Sequence, residues 1–91
     1  MDDLEYFRKK IDDIDREMIA LFEERMNTVC DIANYKFKNN LPVLNQGRED
    51  EVILKAVNSL KNKGYSESVK AFIKNLMEIG KLEQERIISK K

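Results

Sequence analysis

Ninety-one residues and 10.7 kDa accommodate one small domain, residues 1–91, and leave no room for a second core. Seventeen Lys and Arg balance seventeen Asp and Glu, which argues against the broad phosphate-tracking surface of a nucleic-acid binder. With no His, one Cys, three Gly and one Pro, the chain lacks the parts for Ser-His-Asp or Cys-His nucleophiles, His-ligated zinc, CxxC redox pairs and Gly-rich phosphate loops. Any catalysis is left to Arg, Lys, Glu, Gln and backbone groups.

The start, Met1-Asp2-Asp3-Leu4-Glu5, is acidic and no unbroken apolar stretch follows it, so neither a signal peptide nor a spanning helix is expected. A cytoplasmic, reducing setting is the expectation, with no membrane partner, and Cys30 reads as a small half-buried thiol. From residue 4 to residue 35 apolar side chains recur at steps of three and four: Leu4, Phe7, Ile11, Ile14, Met18, Leu21, then Arg25, Thr28, Ile32 and Tyr35. That period fits an amphipathic helix and is incompatible with a strand. Asp2 and Glu5 offer a capping-box-like start, and Asn39-Asn40-Leu41-Pro42 a stop, because Pro cannot continue the ladder. A first helix of about 2–38 follows.

After a loop from Leu41 to Gln46, Gly47-Arg48-Glu49 leads into Val52, Ile53, Ala56, Val57 and Leu60, a second helix of about 47–62. Lys61-Asn62-Lys63-Gly64 reads as its end, with cations in the last turn and Gly64 available for a left-handed cap. Ser66 is positioned to cap a third helix of about 66–89, whose inner row is Val69, Phe72, Ile73, Leu76, Met77, Gly80, Gln84 and Ile87. The fold class is therefore all-α, one long helix and two shorter ones.

A helix of the first one's length runs to roughly 54 Å at ~1.5 Å per residue, whereas a compact chain of this size has a radius of gyration near 12 Å. Two shorter helices cover only part of its stripe. The exposed apolar seam predicts association, most simply a homodimer with the long helices paired antiparallel.

Several charges break the apolar pattern. Arg25 falls in the middle of the seam, and Lys36 lies three turns further along nearly the same face. Arg48 and Glu49 sit one turn before Val52 and Ile53 and are expected to point inward, and Gly80 and Gln84 continue the inner row of the third helix. A buried cation without a partner costs several kcal/mol. Long cations can carry their heads to the bundle edge or pair with Glu49, but Arg25, Lys36 and Arg48 outnumber it. The cluster suits a small anion with more than one carboxylate or phosphate. Arg8 lies about 25 Å before Arg25 along the axis, so if it serves a site, it serves that of another protomer.

This constellation resembles the all-helical chorismate mutases. Arg8 with Ile11 and Asp15, the Glu24-Arg25 pair, Lys36, Pro42-Val43, Arg48-Glu49 and the run from Ile79 to Gln84 stand in that family's order, so the likeness covers about Leu4 to Ile87. The resemblance implies an intertwined homodimer of three-helix subunits and a concerted [3,3] rearrangement of chorismate to prephenate that needs neither nucleophile, proton transfer, cofactor nor metal. It implies that Arg25 and the second copy's Arg8 grip the carboxylates and that Arg48 orients the enolpyruvyl side chain. Glu49 would accept from the ring hydroxyl, and Lys36 and Gln84 would donate to the ether oxygen. Asn45 stands where many relatives have Asp, and Gly80 where many have Ser; both positions belong to the implied substrate-binding set. An isochorismate pyruvate lyase on the same scaffold and a non-catalytic helical dimerisation module are the alternatives.

Overall fold

The computed structural model describes residues 2–91; Met1, the first residue of the acidic start, lies outside the described residues. Helix α1 spans Asp3–Lys38, and the Asp2 carboxylate opens it by accepting from the Glu5 N–H at 2.8 Å. Its end is not made by Pro42. Asn40 takes a left-handed conformation at φ 55°, which Asn tolerates better than most residues. The Leu41 N–H then returns to the Lys36 carbonyl and the Asn40 N–H to that of Phe37. This double bond pattern is a Schellman cap, and it closes the helix before the proline is reached.

Helix α2 spans Gln46–Ser59, with Asn45 as its cap, and stops three residues short of the sequence expectation. Leu60 is already extended, and the Lys63 ammonium supplies the C-terminal cap by donating to the carbonyls of Val57 at 2.8 Å and Asn58 at 3.1 Å. Gly64 is not a left-handed cap, since no glycine among the described residues has a positive φ. It sits instead in a 3-10 turn, Lys63–Tyr65, that the Asn62 side chain opens by accepting from the Gly64 N–H. Ser66 is likewise not an N-cap. It is the first residue of α3, Ser66–Ser89, and its hydroxyl donates back to the Lys63 carbonyl.

The turn folds α2 antiparallel onto α3, placing Gln46 and Glu49 beside Glu78 and Lys81. The second half of α3 runs along the second half of α1 in the same direction: Gly80 faces Arg25 and Val29, and the Lys91 ammonium lies over the Phe37 ring. Val29 and Ala33 are buried there, Val29 beside the buried Gly80 of α3. The core therefore belongs to the second half of α1.

The first half is different. Residues 2–20 are exposed throughout, and Leu4, Phe7, Ile11, Ile14 and Met18 present their stripe to solvent. The molecule measures 55 × 26 × 14 Å with a radius of gyration of 16.5 Å, against about 12 Å for a compact chain of this length. Among the described residues, no helix is long and apolar enough to cross a membrane.

Candidate functional site

Where α1, the α1–α2 loop, α2 and α3 meet, they enclose a cleft of about 380 Å³. Arg25, Val29, Ile32 and Lys36 reach it from α1 because residues three and four apart share a helix face. Val43, Leu44 and Asn45 close it from the loop, Arg48, Glu49 and Val52 from α2, and Met77, Gly80, Lys81 and Gln84 from α3. Seven of the eight residues singled out from the sequence, Arg25, Lys36, Asn45, Arg48, Glu49, Gly80 and Gln84, thus converge on one space. Arg8 does not. It stands in the exposed first half of α1, outside the cleft of its own chain.

Arg25 is half-buried, and its guanidinium crosses α3 where that helix has no side chain: a Cβ at position 80 would stand 3.5 Å from Nη1. Lys36 is half-buried too, and donates from Nζ to the Val43 carbonyl at 2.7 Å. This bond holds the ammonium at the cleft wall while leaving two of its three N–H groups free. Neither cation pairs with Glu49. Among the described residues no carboxylate lies within ion-pair distance of Arg25 or Lys36.

Arg48 departs from expectation. Its side chain is 60% exposed and turns outward along α2 to Glu51 at 2.5 Å. It lines the cleft rim rather than pointing inward, because it lies one residue off the apolar row of α2, while Glu49, on that row, is half-buried. Lys55 and then Arg48 hold the Glu51 carboxyl below its ordinary range. Asn45 also has a structural task the sequence reading missed. Its Oδ1 accepts from the Arg48 N–H at 3.0 Å and caps α2, so the residue that borders the cleft also starts the helix carrying Arg48 and Glu49.

Gln84 carries the one buried side-chain polar atom without a hydrogen-bond partner among the described residues, its Oε1. An unsatisfied buried acceptor costs about 1–3 kcal/mol, so a polar side chain here works against stability. Lys81 is a cleft residue the charge pattern did not single out. The available signal was its spacing, four residues from Met77 and three from Gln84 on the same helix. Its ammonium pairs with Glu78 at 3.1 Å, and that hydrogen bond, followed at longer range by Glu49 and Glu85, holds it above the usual lysine range.

The site is therefore a partly enclosed pocket with apolar walls, two cations that no carboxylate neutralises, one half-buried carboxylate and the amides of Asn45 and Gln84. Such a set can bind and orient an organic dianion and place N–H donors against a growing negative charge.

Residues 7–85 match the family described as chorismate mutase type II. The chain is 30% identical over 89 residues to a bifunctional chorismate mutase/prephenate dehydratase of Buchnera aphidicola subsp. Schizaphis graminum, an alignment that covers 97% of this chain and 23% of that protein. The chain thus spans about a quarter of the length of this curated relative. No solved structure matches it.

Proposed function

The chain belongs to the chorismate mutase type II family, and from that premise we propose that its cleft binds chorismate and rearranges it to prephenate. The observation that carries this reading is the convergence of Arg25, Lys36, Arg48, Glu49 and Gln84, drawn from all three helices, on one pocket. The [3,3] rearrangement breaks the ether C–O bond while a C–C bond forms, with no nucleophile and no proton transfer. A cleft lined by neither His nor Cys is adequate for it.

Arg25 takes a carboxylate, and Arg48 exchanges or shares its Glu51 contact to orient the enolpyruvyl side chain; a guanidinium has five N–H groups, and the Glu51 bond occupies only part of them. Lys36 and the Gln84 amide donate to the ether oxygen, and Glu49 accepts from the ring hydroxyl. Negative charge on that oxygen is greatest in the transition state, so these donors act on rate rather than on binding alone. Holding the flexible substrate in a reactive chair supplies a further share.

The assembled state of this reading is an intertwined homodimer in which Arg8 of a second copy completes each site. The exposed stripe of Leu4, Phe7, Ile11, Ile14 and Met18 supports it. So does the accessible surface of 7346 Å², against roughly 5,500 Å² for a compact monomer of this mass. The excess is on the scale of a specific protein interface. A cytoplasmic location belongs to the same reading, supported by a lone cysteine that has no second thiol to pair with.

The deciding assay is ultraviolet loss of chorismate, with acid conversion of the product to phenylpyruvate. Turnover with prephenate as product is the expected result. Pyruvate release from isochorismate with chorismate left intact would overturn it.

A further inference from the structure

Four cations line the main cleft, and they differ in what holds them. Among the described residues, Arg25 and Lys36 have no carboxylate within ion-pair distance, whereas Arg48 and Lys81 are each engaged by a glutamate that does not line the cleft. Arg48 stands at the rim and reaches Glu51 through one atom, Nη1, at 2.5 Å from Oε1. The Lys55 ammonium lies 3.1 Å from the same oxygen. Helical spacing explains the trio, since Glu51 follows Arg48 by three residues and precedes Lys55 by four. All three are exposed, while Val52, Ile53, Ala56 and Val57 of the same helix are half-buried.

The bond between Arg48 and Glu51 is of a kind that a ligand can exchange. A single contact engages a group with five N–H donors and falls short of the two-pronged grip that guanidinium and carboxylate can form. An exposed ion pair also contributes little in water. The cleft offers an incoming carboxylate Arg25 and Lys36 as well, and attraction between opposite charges strengthens as water is excluded. Lys55 eases the release, because Glu51 keeps a cationic partner when Arg48 leaves.

We propose that Glu51 is a positioning residue that competes with the ligand for Arg48: it holds the guanidinium on the solvent side of the rim, a dicarboxylate entering the cleft draws it inward, and Lys55 keeps Glu51 paired after the exchange. The exchange rests on the reading of the cleft as a dianion site given under Proposed function. Glu51 and Lys55, neither of which lines the cleft, thereby set its affinity in opposite directions.

Double-mutant cycles on the full chain at low salt test this. A calorimetric Kd is measured for chorismate and for malonate, a plain dicarboxylate, beside KM and kcat for chorismate. Glu51→Gln is expected to lower Kd and KM about two- to fivefold, the scale of one exposed ion pair, with kcat unchanged. Lys55→Gln is expected to raise them by a similar factor, because Glu51 then has Arg48 alone, and Lys55→Arg to restore them. Each effect should vanish where its partner is gone: Glu51→Gln changes nothing in the Arg48→Gln background, and Lys55→Gln nothing in the Glu51→Gln background. Helicity by circular dichroism is expected to stay the same throughout.

An equal gain from Glu51→Gln with and without the Arg48 guanidinium would mean that Glu51 acts only through its charge on the arriving dianion, and would overturn the exchange. No change in Kd on Glu51→Gln would overturn it too, as would a loss on Lys55→Gln that persists without Glu51. Chorismate neither bound nor turned over is a separate failure, that of the functional reading, and the malonate cycles then decide the exchange. A protein that binds neither compound would overturn both.

Discussion

The Lys36 ammonium and the Val43 carbonyl are joined by a 2.7 Å hydrogen bond that ties the last turn of α1 to the loop leading into α2. The same side chain thereby holds the loop and presents its remaining N–H groups to the cleft. Lys36→Ala removes both. Turnover is expected to fall by about 10²–10³, as when one preorganised donor to a developing oxyanion is lost. The melting temperature should fall only by the equivalent of about 1 kcal/mol, the net worth of one hydrogen bond. Near-normal turnover in a folded Lys36→Ala protein would refute the assigned role.

Gly80 lets α3 pass Arg25 closely, but does not require it. A Cβ there would meet Arg25 Nη1 and Val29 Cγ2 at 3.5 Å each, which is ordinary contact. Glycine inside a helix costs about 0.5–1 kcal/mol relative to alanine. Gly80→Ala is therefore expected to raise stability by about that amount and leave turnover unchanged. Lower stability in urea denaturation would show that α1 and α3 cannot accept the methyl group.

Gln84 offers the opposite trade. Gln84→Met keeps the length of the side chain and deletes the buried, unpartnered Oε1, so stability should hold or rise by about 1 kcal/mol. Activity should drop about 10²-fold through loss of the amide donor. A variant that loses stability and keeps its activity would reverse this account of the residue.

Arg8 and Arg25 lie on opposite halves of one helix, and only Arg25 lines the cleft. Arg8→Ala and Arg25→Ala proteins are each expected to be impaired, and their equimolar mixture to recover about a quarter of full activity. The reason is that half the exchanged dimers carry one intact site of two. No recovery after demonstrated subunit exchange would contradict a shared site.

Acid should weaken the fold more than base. Lys55 and Arg48 hold Glu51 below the ordinary carboxylate range, Lys70 does so for Glu67 and Arg86 for Glu83. A lowered folded-state value adds stability that is present at neutral pH and disappears as pH falls through that value. Lys81 and Arg86 are raised by Glu78 and Glu83, so their contribution persists until pH rises through values above the ordinary lysine range. Melting temperatures are expected to be flat from about pH 6 to 9 and to decline below about pH 4. The decline should be modest, and smaller at high salt, because these pairs are largely exposed.

The chain itself determined the all-helical character, since apolar residues at steps of three and four admit no other element. It also marked polar residues of the cleft, because Arg25, Lys36, Glu49 and Gln84 interrupt those apolar rows, and a polar group on an inner row is visible without coordinates. Element ends were less legible. Asn40 closes α1 and Lys63 caps α2, because a cap depends on one backbone conformation or one long side chain reaching backward, which leaves no periodic trace. Two relations were decided by the tertiary fold alone: Lys36 takes Val43 as its partner, and Lys81 lines the cleft beside Glu49. Helical periodicity specifies which residues share a face, but which groups then meet across helices depends on how far each helix slides and turns against its neighbours, and packing alone sets that.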